Sequence, residues 1–288
     1  MDILPQLVMN SIIAGAIYAV VALGFNLIYG TVKFFDIGYG SLTAVGGYTV
    51  FLLYKRLGFD LAISVIAAMI VAGIVGYLIY PFVYAPLRAR KATNMVMLVA
   101  SLGAFIIIQA VVAMLFTSQF QTLSKSVGTQ RIFEFGGGVI TQTQVIILLS
   151  ALLIMLVLAL FVEHTRFGKA VQAIADDEEV SKIVGINTNR IVGWVFAIGS
   201  AIAGLAGIFI GFDTGIEPTM GLSILLKGVV AAIVGGIGNI YGGVAGAFLL
   251  GFAENFGIWK ISGEWKDAIA FVVLIVFLLF RPQGIFKK

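Results

Sequence analysis

Long uncharged apolar runs set the pattern of this chain. No Asp, Glu, Lys or Arg interrupts residues 7–29, 61–87, 95–124, 136–162, 191–212, 228–253 or 268–280. A helix needs roughly 20 apolar residues to cross a hydrocarbon core of about 30 Å, and most of these runs reach that length. The last is short and is expected to extend through the residues around Trp265. A glycine-rich, uncharged stretch at 37–54 adds an eighth candidate, and the run at 228–253 reads better as two short spans than as one. The runs are continuously apolar rather than alternating, which favours helices over the strands of a membrane barrel. The expectation is an all-α, polytopic membrane protein with 8–9 membrane-embedded helices, forming one domain over residues 1–288.

Composition sharpens this. Of 288 residues, 60% are hydrophobic and 11% charged, against about 45–50% and about 25% in soluble domains. A water-soluble fold of this size would expose large apolar patches. The first run is too long for the apolar core of a signal peptide and reads as a retained span. Cysteine is absent, which excludes disulfides and thiolate metal sites. The formal net charge of +4 is spread along the loops and reads as membrane topology rather than nucleic-acid affinity.

With nine spans and an outside N-terminus, Lys33, Arg88, Arg90, Lys91, Arg166, Lys169, Lys182, Arg190, Arg281, Lys287 and Lys288 face the cytoplasm, eleven of eighteen basic residues. This obeys the positive-inside rule and places the C-terminus in the cytoplasm of a multi-pass cell-membrane protein. Lys55 and Arg56 then lie outside. If 37–54 only dips into the membrane and returns, that pair moves inside and the N-terminus flips.

Glycine and in-span polar residues mark candidate contacts. Residues 10–53 run as a long helix, a polar link (31–36) and a Gly/Ser-rich short helix, and residues 190–235 repeat that order with 212–220 as the link. Under the nine-span topology the two units form an inverted repeat with Gly-rich broken helices, the arrangement in which transporters place their pathway. Small residues also let helix backbones approach closely in lipid. Asn10, Asn26, Gly38, Gly40, Gly235, Gly236, Gly238, Asn239 and Glu254 are therefore candidates for a translocation path or for helix packing. Glu254 is costly facing lipid; it is expected near the outer interface beside Trp259 and Lys260, or in helix–helix hydrogen bonding. A short hairpin is expected within 117–144, around Phe-Glu-Phe-Gly-Gly-Gly.

The connector at about 163–190 is longer than the usual 2–8-residue helix link. Its pattern predicts two short helices joined near the acidic run Asp176–Glu179, the second ending at Gly185 as a C-cap. The motif Thr-x-x-Gly-x-Ala-x-x-Ala-x-x-Asp, from Thr165 to Asp176, resembles the cytoplasmic coupling loop of ABC-importer permeases. The chain is similar over most of its length to the branched-chain amino-acid permeases, in a branch that includes ribose permeases. Gly235-Gly-Ile-Gly-Asn-Ile-Tyr-Gly-Gly and Arg281-Pro-Gln-Gly-Ile-Phe resemble two further signatures of that family. Gln172, Ser181, Asp36 and Tyr39 depart from its pattern.

The resemblance implies a permease subunit that imports branched-chain or other hydrophobic amino acids. Its partners would be a homologous permease or a second copy of itself, two ATP-binding subunits and an extracytoplasmic binding protein, within membrane lipid. Arg166, Gly168, Ala170, Ala173, Asp176, Asp177 and Gly185 would form the coupling loop. The chain itself carries no phosphate-cradling motif: for the pair Gly168-Lys169, position 163 is Glu rather than Gly and Ala170 follows rather than Ser or Thr. ATP hydrolysis is therefore expected in a separate subunit. The single histidine, His164, reads as interfacial, and nothing in the sequence calls for a metal, a cofactor or a catalytic residue. Sugar or nucleoside transport within the same superfamily is the nearest alternative, and an ion-coupled secondary transporter the next.

Overall fold

A computed structural model describes residues 3–124, 131–259, 261–281 and 283–286. The apolar runs form helices whose starts are set by polar residues at their edges. In chain order these are α1 (Ile3–Val32), α2 (Gly38–Val50), α3 (Leu61–Ile79), α4 (Ala85–Ala89), α5 (Asn94–Phe116) and α6 (Gln142–His164). Then follow α7 (Arg166–Asp176), α8 (Glu178–Ile183), α9 (Thr188–Asp213), α10 (Met220–Gly235), α11 (Ile240–Ile258) and α12 (Lys266–Phe280). Asp60 caps α3 through the Ala62 N–H at 2.9 Å, and Asn187 caps α9 through the Arg190 N–H at 3.1 Å. Each cap satisfies a donor that the first helical turn leaves unpaired.

Two wide π turns interrupt the helices. Phe51–Arg56 continues α2, so one helical run covers 38–56, and Tyr80–Tyr84 joins α3 to α4. The second contains Pro81, which has no N–H to donate and crowds the preceding turn; a wider turn relieves that conflict.

Among the described residues, five helical stretches are long and apolar enough to span a bilayer: α1, Leu61–Ala89, α5, α6 and α9. A sixth results if α10 and α11, bent by 115° at their junction, form one broken span. The eight or nine elements expected from the runs therefore reduce to five or six on length. The run at 95–124 overshoots, because the helix stops at Phe116, and the run at 136–162 loses its first six residues to a hairpin. Absence of charge marks what lipid tolerates; it does not mark where the backbone turns. The hairpin pairs β1 (Ile132–Phe135) with β2 (Gly138–Thr141) antiparallel, Phe135 opposite Gly138. Its turn is Gly136-Gly137 at φ +58 and +86, the left-handed pair that matches strand twist. The short final run extends through a 3₁₀ turn at Gly263–Trp265, as expected.

The chain divides into two compact units. One comprises Leu27–Leu123 and Leu156–Leu225; the other comprises Met1–Asn26, Ser124–Met155 and Leu226–Lys288. In the first, α2, α3 and α9 pack most closely. A methyl group on Gly46 would collide with the Gly204 backbone, so these two glycines set the approach of α2 to α9. At one end of the 38–56 run lie Lys33 and α7. At the other, Lys55 donates to the Thr122 carbonyl, and Gln121 pairs with Ile216. In the second unit α11 packs on α12, and Gln6 bonds both the N–H and C=O of Val139 on β2, at 2.8 and 3.1 Å.

Candidate coupling surface and broken-helix site

The 163–190 connector folds as the two helices its pattern predicts. Thr165 accepts from the Gly168 N–H at 3.0 Å and starts α7. Gly168 lies so close to the Val162 backbone that a Cβ would not fit. Val171 and Ile174 are buried, whereas Arg166 and Asp176 are exposed. Asp177 ends α7 and caps α8 through the N–H groups of Glu179 and Val180, at 2.8 and 3.0 Å. At the far end Gly185, φ +88, donates to Lys182 and Ile186 donates to Ser181, the paired bonds of a glycine C-cap. Ala170 and Ala173 lie half-buried along α7. Two of the four residues that depart from the family pattern lie in this loop and have local jobs. Gln172 reaches the Val162 carbonyl at 3.4 Å, and the buried Ser181 donates to Asp177 O at 2.8 Å.

A polar strut fastens α8 to the spans. Arg88 at the end of α4 pairs with Glu178, which also holds Lys182 at 2.9 Å. Arg88 further donates to the Tyr80 hydroxyl at 3.3 Å, and Tyr80 donates to Asn189 of α9 at 3.0 Å. Burial works to raise the Glu178 carboxyl, but Lys182 and Arg88 outweigh it and hold it below the usual carboxylate range. With its polar side fixed, α8 leaves Ile183 83% and Val184 69% exposed. Sequence reasoning counted Arg88 only towards topology, because it stands in a basic cluster with Arg90 and Lys91. Tyr80 and Asn189 carried no such signal.

The glycines of α2 and the broken helix lie in different units. Gly38 and Gly40 lie on the buried face of α2: a Cβ at Gly38 would come within 3.0 Å of an Asp36 carboxylate oxygen, and one at Gly40 within 2.6 Å of the Gly221 carbonyl. The other candidates all lie in the second unit. The 115° break between α10 and α11 falls at Gly236-Ile-Gly-Asn239, with φ +116 at Gly236 and +81 at Gly238. Asn26 clamps it, accepting from the Gly238 N–H at 3.1 Å and donating to the Asn239 carbonyl at 3.2 Å. Asn239 caps α11 through the Gly242 N–H at 3.0 Å, and Gly235 packs against the Gly242 backbone. The tail returns to the same place: Ile285 and Phe286 donate to the Val234 and Gly235 carbonyls at 2.9 and 3.0 Å.

Asn10 bonds Gln6 at 3.0 Å and stands apart from the break. Glu254 is fully buried in α11. It accepts from Tyr18 at 2.7 Å, with Lys227 and Lys266 each at 3.7 Å, and Lys227 also meets Asp267 at 3.0 Å. Lys260 lies outside the described residues. Among the described residues no three His, Cys, Asp or Glu side chains gather as a metal site.

Helices long and apolar enough to span a bilayer, together with a helix broken at glycines, fit a polytopic membrane protein. The chain belongs to the family described as branched-chain amino acid transport system / permease component, whose profile matches residues 7–278. It is 33% identical over 297 residues to the high-affinity branched-chain amino acid transport system permease protein BraD of Pseudomonas aeruginosa, covering 99% of this chain and 96% of that one. It is 32% identical to the corresponding permease protein LivH of Escherichia coli K12, over 98% and 95% of the two chains. The solved structure of PsaBC from Streptococcus pneumoniae in complex with Fab shares the fold, with TM-score 0.51 at 14% identity, covering 98% of this chain and 93% of that one.

Proposed function

We propose that this permease component translocates branched-chain or other hydrophobic amino acids delivered by an extracytoplasmic binding protein, driven by two separate ATP-binding subunits. It pairs with a homologous permease or a second copy of itself. Relatives named for branched-chain amino acid transport over nearly the full chain support the substrate class. In this reading residues 1–288 act as one permease domain, and 38–56, α10, α11 and α12 bring the membrane elements to eight or nine. The α1–α2 and α9–α10 units form the inverted repeat, and the C-terminus is cytoplasmic. Asn26, Gly235, Gly236, Gly238 and Asn239 hold the broken helix as a pivot of the path. Arg166, Gly168, Ala170, Ala173, Asp176, Asp177 and Gly185 shape the α7–α8 surface that receives force.

The observation that carries the coupling role is the apolar end of α8. Ile183 and Val184 face outward on a helix braced from behind by Arg88. An exposed apolar pair on a rigid mount suits burial in a partner's groove. Ile183→Asp is expected to weaken co-purification with the ATP-binding subunits by about tenfold or more, while the permease keeps its detergent melting temperature. Undiminished assembly and uptake in that variant would remove α8 from the coupling surface. Ion-gradient-driven uptake by the purified chain alone in liposomes would instead support the secondary-transporter alternative.

A further inference from the structure

A polar cavity of about 570 Å³ lies behind α8, within the unit that carries it. Its wall includes Val32 at the end of α1, Ala85, Arg88 and Ala89 of α4, Asn94 at the start of α5 and Asn189 of α9. Four apolar spans therefore begin or end on it, which sets it at the level where hydrocarbon gives way to lipid headgroups.

The lining is charged. Arg88, Lys91 and Lys182 stand against Glu178 and Glu179, a net of one positive charge (three cations less two carboxylates). Glu178 is already shared by Arg88 and Lys182. Lys91 has no carboxylate within ion-pair distance among the described residues, and its backbone sits at φ +53, a conformation uncommon for a non-glycine residue. Arg88 has five N–H donors, of which the Glu178 and Tyr80 bonds engage two nitrogens. Immediately beside the mouth, the first turns of α5 expose Met95, Val96 and Val99. A basic cavity continuous with an exposed apolar helix face has the two-part chemistry of an amphiphile.

We propose that this cavity binds the phosphate of an anionic phospholipid headgroup through Lys91, Arg88 and Lys182, with the acyl chains lying along Met95, Val96 and Val99. A single negative headgroup complements the single positive excess. Free phosphate would use the same cations but would gain nothing from α5. The site joins lipid composition to α8, because Arg88 and Lys182 are also the cations that hold Glu178. It goes beyond the proposed transport role and does not depend on which solute is carried.

The test uses the complex of permease and ATP-binding subunits in detergent, titrated with phosphatidylglycerol or phosphatidylcholine and read by native mass spectrometry as lipids retained. Each basic residue near a membrane surface contributes about fivefold in affinity. Lys91→Asn keeps a residue that tolerates positive φ and is expected to weaken phosphatidylglycerol retention about fivefold; adding Lys182→Gln weakens it further, and Lys91→Arg restores it. Phosphatidylcholine retention is expected to be weak and unchanged throughout. Equal retention of the two lipids, or phosphatidylglycerol retention indifferent to Lys91→Asn, would overturn the proposal. So would complete displacement of the lipid by millimolar inorganic phosphate, which would make the site one for free phosphate. If Lys91→Asn/Lys182→Gln loses the ATP-binding subunits, the Lys91→Asn and Lys91→Arg comparison decides alone, since Lys91 lies outside α7 and α8.

Discussion

At Asp36 a carboxylate is buried in the link between α1 and α2, 3% exposed. It accepts from the Tyr84 hydroxyl at 2.6 Å, and the N–H groups of Gly38 and Tyr39 also point to it. Burial pushes it up to about 6, against the lowering effect of those bonds. For an acid raised in the folded state, stability is full below the unfolded value of 3.8 and is lost as pH rises towards 6. The loss reaches at most about 3 kcal/mol. Asp36→Asn keeps an acceptor without the charge, so its melting temperature in detergent is expected to fall less than the wild type's between pH 4 and pH 7. Parallel pH profiles for the two proteins would refute this. Glu178 behaves oppositely: its lowered carboxyl contributes stability above the ordinary value of 4.5, lost as pH falls through its folded value. The sequence flagged Asp36 as unusual, but its partner Tyr84 is 48 residues away and gave no sign.

Elements show how far local signals reach. The α7–α8 pair was legible because its helical spacing, acidic junction and terminal glycine all act within a few residues. The Arg-Pro-Gln-Gly-Ile-Phe tail was legible only as a motif; what it does emerges from pairing with α10. That helix ends at a 115° break, leaving carbonyls unpaired in a low-dielectric setting, and Ile285 and Phe286 satisfy two of them. Such bonds contribute about 0.5–1.5 kcal/mol each, and more is lost when a buried acceptor goes unpaired. Gly284 makes the approach possible, at φ +77 with the Gly236 Cα 2.5 Å from where a Cβ would sit. Gly284→Val is expected to cost on the order of 1–3 kcal/mol and to lower the melting temperature of the purified permease. An unchanged melting temperature would show that the tail does not support the break.

For the whole molecule, topology turns on residues 38–56. Nineteen helical residues rise about 28 Å, close to the roughly 30 Å of the hydrocarbon core. Their ends meet different partners: the Lys33 ammonium approaches the Asp176 carbonyl at 3.5 Å, while Lys55 reaches Thr122. This favours a crossing over a dip and return. The chain contains no cysteine, so single-cysteine labelling is clean. Lys55→Cys is expected to react with an impermeant maleimide from outside intact cells, and Lys182→Cys only after the cytoplasmic face is opened. Labelling of both from the same side would restore the re-entrant alternative and invert the N-terminus.

Sequence by itself determined the solvent of this protein, its helical class and the caps and glycines that end its helices, because each depends on neighbours within a turn or two. It also pointed to Gly38, Gly235 and Asn26 as unusual, since small and amide residues in lipid-length runs have few other uses. Tertiary structure decided what they touch. Gly46 faces Gly204, Asn26 clamps Gly238-Asn239, and Arg88 braces Glu178. These contacts join residues far apart along the chain. In a uniformly apolar sequence, shape and hydrogen-bond complementarity choose among helix pairings that hydrophobicity leaves nearly equivalent. The long spans could be read from composition, but the break, its clamp and the cavity behind α8 depend on those pairings.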